Sequence, residues 1–262
     1  MGIREDYQPG TFCWVDLSTT APAKASAFYQ RLFGWEWTDY PAGDGIYTMA
    51  TPGGRPVAGL YTMADTLQKQ GVPSHWSAYI RVGAVDAVAA RVPEAGGRVE
   101  IPPFSIPGMG RMAGLTDSTG APFNVWEPDG HPGAARVNEP GCFCWNDLNT
   151  RDPRKAAVFY NTLFGWTVQE QADLPGYHVV HHDGRPAGGI RDMRGVLPDA
   201  VPPHWNVWFS VADLDESLKT IKKNKGTRLA PVQDVPGVGR LALVRDSAAA
   251  VFVIAQLLQP DP

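Results

Sequence analysis

Apolar and polar side chains alternate along Phe12-Cys13-Trp14-Val15-Asp16-Leu17, which predicts a short β-strand. Simple alternation sends Phe12, Trp14 and Asp16 to one face and Cys13, Val15 and Leu17 to the other. A helix then opens at Pro22, carries Ala25, Phe28, Tyr29 and Leu32 on its apolar face, and stops at Gly34. Strand patterns follow at 35–39, 46–51 and 55–62, with Pro52-Gly53-Gly54 as a turn. An alternating run over 76–82 leads into a second helical pattern, 85–95, where Pro93 shortens or kinks the helix. Three more strands are predicted near 98–101, 111–116 and 123–127, the last two joined by Asp117-Ser118-Thr119-Gly120.

The whole series then repeats. Residues 9–38 laid on 140–169 give 17 identities in 30 positions, so Phe143-Cys144-Trp145-Asn146-Asp147-Leu148 is a second copy of the opening strand. Further on, Val72-Pro73-Ser74-His75-Trp76 matches Val201-Pro202-Pro203-His204-Trp205. Pro107-Gly108-Met109-Gly110-Arg111 matches Pro236-Gly237-Val238-Gly239-Arg240, and Asp117-Ser118 matches Asp246-Ser247. A Pro/Gly cluster, Pro128-Asp129-Gly130-His131-Pro132-Gly133, reads as the linker, which gives domains 1–130 and 131–262. Each domain holds two βαβββ units. The fold class expected is α+β, with four βαβββ units forming half-barrel clefts between paired units. Which units pair is left open by the pattern.

Composition narrows the function. A net charge of −4 disfavours nucleic acid and anionic membranes as partners. No apolar run reaches the ~20 residues of a membrane helix, and the first residues lack the apolar core of a signal peptide, so a cytoplasmic protein is expected. Cys13, Cys142 and Cys144 read as ordinary thiols. Many of the nine tryptophans, eight tyrosines and ten phenylalanines must be core, and a set this large also suits a cavity that stacks flat apolar ligands. The Gly-x-Gly-Arg segments lack the context of a phosphate loop and read as turns, with Arg111 and Arg240 available to pair with Asp117 and Asp246.

The strand–helix opening that ends Phe28-Tyr29…Leu32-Phe33-Gly34-Trp35, its copy Phe159-Tyr160…Leu163-Phe164-Gly165-Trp166, and the Asp117-Ser-Thr-Gly turn resemble the vicinal oxygen chelate superfamily. That superfamily includes glyoxalase I, extradiol dioxygenases and bleomycin-resistance proteins. The tandem arrangement is most similar to actinobacterial hydroxylase-type or glyoxalase-like members. The resemblance implies two tandem vicinal-oxygen-chelate domains and, in metal enzymes of the family, ligands at four set points. Carried onto this chain, those points fall on Trp14 and Trp145, near Gly59 and Gly188, on Ser77 and Asn206, and on Asn124 and Val253. None offers the imidazole or carboxylate a divalent ion favours, so no metal and no cofactor is expected.

The expected cleft is lined by Phe12, Trp14, Ser77, Tyr79, Asn124 and Trp126 in copy one, and by Trp145, Asp147, His204, Asn206 and Trp208 in copy two. Asp16 and His75 are the candidate catalytic groups, as a general base in an aromatic pocket. Each has a plainer role available: His75 and His204 as strand-entry histidines bonded to a backbone carbonyl, Asp16 and Asp147 as acceptors of backbone N–H groups. At most one of the two clefts is expected to be open. The function expected is metal-independent binding of a flat, largely apolar metabolite, with a glyoxalase-like lyase/isomerase or hydroxylase as the alternative. The partner is then a small molecule, and the chain is a monomer with an internal pseudo-dimer, or a weak homodimer.

Overall fold

The computed structural model describes residues 2–43 and 45–258. Met1, Asp44 and residues 259–262, where the second expected domain ends, lie outside the described residues. The first copy runs β1 (Phe12–Thr19), α1 (Pro22–Phe33), β2 (Trp37–Ala42), β3 (Gly45–Ala50), β4 (Ala58–Thr62), α2 (Asp65–Lys69), β5 (His75–Arg81), α3 (Val85–Arg91), β6 (Arg98–Ile106), β7 (Gly110–Thr116) and β8 (Pro122–Pro128). The second runs β9 (Phe143–Thr150), α4 (Pro153–Phe164), β10 (Thr167–Glu170), β11 (Tyr177–His182), β12 (Arg185–Asp192), β13 (His204–Ser210), α5 (Leu214–Lys223), β14 (Thr227–Arg228), β15 (Gln233–Val235), β16 (Gly239–Arg245) and β17 (Val251–Leu257).

Local chemistry sets these boundaries. Pro22 and Pro153 open α1 and α4, where a missing N–H costs nothing. Both helices end on a left-handed glycine, Gly34 at φ 72° and Gly165 at φ 71°. Helix α3 ends at Arg91, two residues short of Pro93, as the proline requires. The short helix α2 was not foreseen; it sits in the connection between the two units of copy one.

Each copy makes one curled sheet, in the orders β2-β3-β4-β1-β5-β8-β7-β6 and β10-β11-β12-β9-β13-β17-β16-β14. Strand β1 pairs antiparallel with β5, and β9 with β13, so the two units sharing each half-barrel are consecutive units of one copy. This settles the pairing: Trp14 shares a sheet with Ser77 and Asn124.

The outer faces of the two sheets pack together through the helices. Phe33 lies 5.2 Å from Phe209, and Tyr29 lies 5.6 Å from Phe252. The junction repeats about a pseudo-twofold. The Trp76 indole donates to Tyr29, whose hydroxyl donates across to Asp246 Oδ2 at 2.9 Å. The Trp205 indole donates to Tyr160, whose hydroxyl donates to Asp117 Oδ2 at 3.0 Å. Trp35 and Trp166 donate to the carbonyls of Gly141 and Gly10 in the opposite domain, and both glycines have a positive φ that favours glycine. Asp117 and Asp246 therefore serve the junction, and Arg111 and Arg240 pair instead with Asp86 and Asp215 on the helices beside them. Among the described residues no helix is long and apolar enough to cross a membrane.

Candidate functional site

The inner face of each half-barrel carries the chemistry. Register places Trp14 beside Tyr79, Asp16 beside Ser77 and Tyr79 beside Asn124. In copy two it places Trp145 beside Trp208 and Asp147 beside Asn206. Trp126 joins the first set, next to Arg81. These residues do share a face.

Phe12 does not. The β1–β5 ladder skips a residue between Phe12 and Trp14, a bulge that turns Phe12 to the opposite face. There Phe12 packs 5.1 Å from Trp205 and 5.5 Å from Trp166, in the junction with the second domain. Strand alternation counted through Cys13 therefore misplaces it.

At the centre of each face is a buried carboxylate read by a tyrosine and a tryptophan. In copy one the Trp14 indole donates to Tyr47 Oη at 2.7 Å. Tyr47 in turn donates to Asp16 Oδ2 at 3.2 Å, and Tyr79 donates to the same oxygen at 2.7 Å. In copy two Tyr177 donates to Asp147 Oδ1 at 2.8 Å, and the Trp145 indole reaches both that oxygen (2.9 Å) and Tyr177 Oη (3.0 Å). Neither aspartate accepts a backbone N–H. Asp16 is 1% exposed and Asp147 4%. Burial raises Asp16 to about 7, against the pull of the Tyr79 and Tyr47 hydroxyls. Burial likewise raises Asp147 to about 6, opposed by Tyr177, Arg191 and Trp145. Asp16 Oδ1 is buried without a partner, and the contacts of Asp147 fall on Oδ1 alone.

Tyr47 and Tyr177 were missed in the sequence, although a signal existed. Gly54-Arg55-Pro56 recurs as Gly184-Arg185-Pro186, and counting back seven residues from each lands on the two tyrosines. The same alignment corrects the fourth-strand point. Asp16 pairs with Gly59 and Asp147 with Gly189, so the second copy's equivalent is Gly189, and Gly188 faces Phe12 and Trp205 on the other side.

The plainer reading holds for the histidines. His75 and His204 place Nδ1 at 2.9 and 2.8 Å from the carbonyls of Pro73 and Pro202, and His75 makes no bond to Asp16. His131 of the linker enters unforeseen. It packs edge-on to Trp14 at 4.6 Å, while its carbonyl accepts from the Trp126 indole. Its burial lowers its pKa to about 4, so it is neutral. Trp14 and Trp126 pack on His131 and, with Tyr79, are buried on this face of the first half-barrel.

The second half-barrel keeps an open groove of about 430 Å³. Tyr177 and Arg191 form one wall, and Gln233, Asp234 and Val235 form the other. Trp208 stands where copy one has Tyr79; its indole N–H is buried and unpartnered.

The four ligand points do not fit a divalent ion. The indoles of Trp14 and Trp145 donate hydrogen bonds and offer no lone pair. A Cβ at Gly59 would sit 1.9 Å from Tyr47 Oη, and one at Gly189 would sit 2.2 Å from Tyr177 Oη. The tyrosine hydroxyls thus take the room a fourth-strand ligand would need. Among the described residues no cluster of three or more His, Cys, Asp or Glu could hold a metal ion.

Two curled βαβββ sheets with inward-facing polar residues define a tandem fold that solved structures share. The Mn(II)-bound glyoxalase from Novosphingobium aromaticivorans aligns with a TM-score of 0.67 at 16% identity, covering 96% of this chain and 83% of that one. The 2,3-dioxygenase LapB from Pseudomonas sp. KL28 aligns with a TM-score of 0.65 at 12% identity, covering 100% and 95%. The family model for the Glyoxalase/Bleomycin resistance protein/Dioxygenase superfamily matches residues 11–131 and 143–249, and the chain belongs to that superfamily. Among its relatives, "Putative glyoxylase CFP32" of Mycobacterium tuberculosis is 39% identical over 100% of this chain and 99% of its own length. "Anthracycline biosynthesis protein DnrV" of Streptomyces peucetius is 32% identical over 98% and 96%.

Proposed function

We propose that this protein binds a flat, largely apolar small molecule without a metal, and that the second half-barrel is the working cleft. One observation carries the reading. At the first-strand point where metal enzymes of the superfamily hold a ligand, this chain has a tryptophan bonded into a tryptophan–tyrosine–aspartate network, in both copies, and the tyrosine hydroxyl fills the room beside the fourth-strand point. The Tyr177 ring of that network lies in the wall of the open groove, and a ring beside apolar side chains and a few fixed polar groups suits stacking of a planar ring system. The DauV and DnrV relatives, named for anthracycline biosynthesis, point toward fused-ring compounds of this shape. Titration of purified protein with planar aromatic compounds, followed by tryptophan fluorescence, tests the reading. It predicts saturable quenching that EDTA leaves unchanged. No saturable binding by any such compound, or binding abolished by EDTA, contradicts it.

A second reading is favoured by the buried carboxylates. Asp147 at about 6 and Asp16 at about 7 lie in the range of an effective general base. A glyoxalase-like lyase/isomerase or a hydroxylase would use one of them to move a proton on a carbonyl or aromatic substrate. Turnover of methylglyoxal–thiol adducts or polycyclic aromatics, lost in Asp147→Asn, would establish it.

A further inference from the structure

One charged residue of the second cleft stands where the first has a neutral ring. On β12, Arg191 stands opposite Tyr177 in the ladder, and its guanidinium lies over the Tyr177 ring, 5.9 Å from the centroid. The matching position on β4 is Tyr61, which stacks on Tyr47 at 6.2 Å and 18°. Duplication thus kept the tyrosine that reads the aspartate and exchanged its neighbour, a neutral ring in one copy and a cation in the other.

Among the described residues the Arg191 guanidinium has no hydrogen-bond or ion-pair partner, and the residue is half-buried in the lining of the open groove. Three acids stand near it: buried Asp147, whose pKa its charge lowers, and Asp192 and Asp234 of the groove lining. Asp192 is held by Arg194 at 2.5 Å, and Asp234 lies 3.6 Å from Arg240. The remaining lining is mostly apolar or neutral, with Leu174, Pro175, Val196, Val235 and Gln233. An unpaired guanidinium fixed over an aromatic ring, beside an apolar groove, recognises a planar anionic group attached to an apolar body. Its fork matches a carboxylate in two parallel hydrogen bonds, and the Tyr177 ring holds it in place through its π face.

We propose that the second cleft selects aromatic or conjugated carboxylates, with Arg191 as the anion-recognising residue, and that the first cleft lacks this selectivity. The proposal rests on the small-molecule-binding reading and adds the ligand class to it. A matched pair of probes separates the two: 2-naphthoate and its neutral amide, 2-naphthamide, titrated calorimetrically into wild type, Arg191→Gln and Arg191→Lys. The wild type is expected to bind the acid about tenfold or more tightly than the amide, the size of one charge-assisted hydrogen-bond pair. Arg191→Gln is expected to erase that ratio, weakening the acid far more than the amide. Arg191→Lys is expected to keep part of the ratio, because the charge remains and the fork is lost. Arg191 is half-buried and its guanidinium makes no hydrogen bond, so the variants should fold, which thermal melts check. Equal affinity for acid and amide in the wild type, or an unchanged ratio in Arg191→Gln, overturns the anion selectivity and leaves ligand binding intact. Failure of both probes to bind overturns both readings.

Discussion

Replacing Asp16 with asparagine should flatten the dependence of stability on pH. Burial raises the native Asp16 from 3.8 to about 7, so between these values the native state holds a proton that the unfolded chain has released. Stability from this group is therefore full below about pH 4 and is lost as pH rises through 7. Integrating the linkage relation between pH 5 and pH 8 gives a loss of roughly 2.5 kcal/mol for Asp16. Asp147, raised to about 6, loses roughly 1.5 kcal/mol over the same range. Asparagine keeps the carbonyl that accepts from Tyr47 and Tyr79 and removes the titration. Urea unfolding at pH 5, 6, 7 and 8 measures the effect. The difference between wild type and Asp16→Asn should move by roughly 2.5 kcal/mol in the variant's favour across this range. A difference that stays constant with pH would refute the account of Asp16 as a proton-holding group.

Gly59→Ala should push Tyr47 off Asp16, because the new Cβ lies 1.9 Å from the hydroxyl; with that donor gone, the Asp16 pKa rises further and the pH–stability curve bends at higher pH. Tyr29→Phe and Tyr160→Phe each remove the hydroxyl that joins a buried indole to an aspartate of the other domain, and urea unfolding should show a loss of ~1–3 kcal/mol for each. Phe12→Ala should cost ~3–5 kcal/mol of stability, as expected for a buried aromatic, and leave ligand affinity unchanged; a large affinity loss with little loss of stability would place Phe12 back in the cleft.

Much of this architecture is written locally. The proline-opened, glycine-closed helices depend on single residues whose backbone preferences act without tertiary context, and the repeat makes each visible twice. Trp14 and Asp16 share a face because the strand is regular from Trp14 onward. Phe12 could not be placed because the bulge at Cys13 is a property of pairing with β5, where consecutive Tyr79 and Ile80 face Trp14 and Phe12 and leave Cys13 without a partner, and no period-two pattern carries that information. The contacts of Tyr47 and Tyr177 with the aspartates cross from β3 to β1 and from β11 to β9, with a strand between them each time. Only the small size of Gly59 and Gly189 on that intervening strand lets the hydroxyls through. The roles of Asp117 and Asp246 were likewise hidden, since their tyrosine partners lie 43 and 217 residues away in the other domain. His75 was drawn toward catalysis by its nearness to Asp16 in the expected sheet, yet the Pro73 carbonyl two residues away claims its Nδ1.

The central claim is that the tryptophan–tyrosine–aspartate networks replaced a metal centre. Elemental analysis of protein purified without chelators or metal-affinity steps, followed by titration with zinc, nickel, manganese and iron, tests it most directly. The account predicts far less than one ion per chain and no saturable uptake at micromolar metal. One tightly held ion per chain, lost together with ligand binding on chelation, would contradict it.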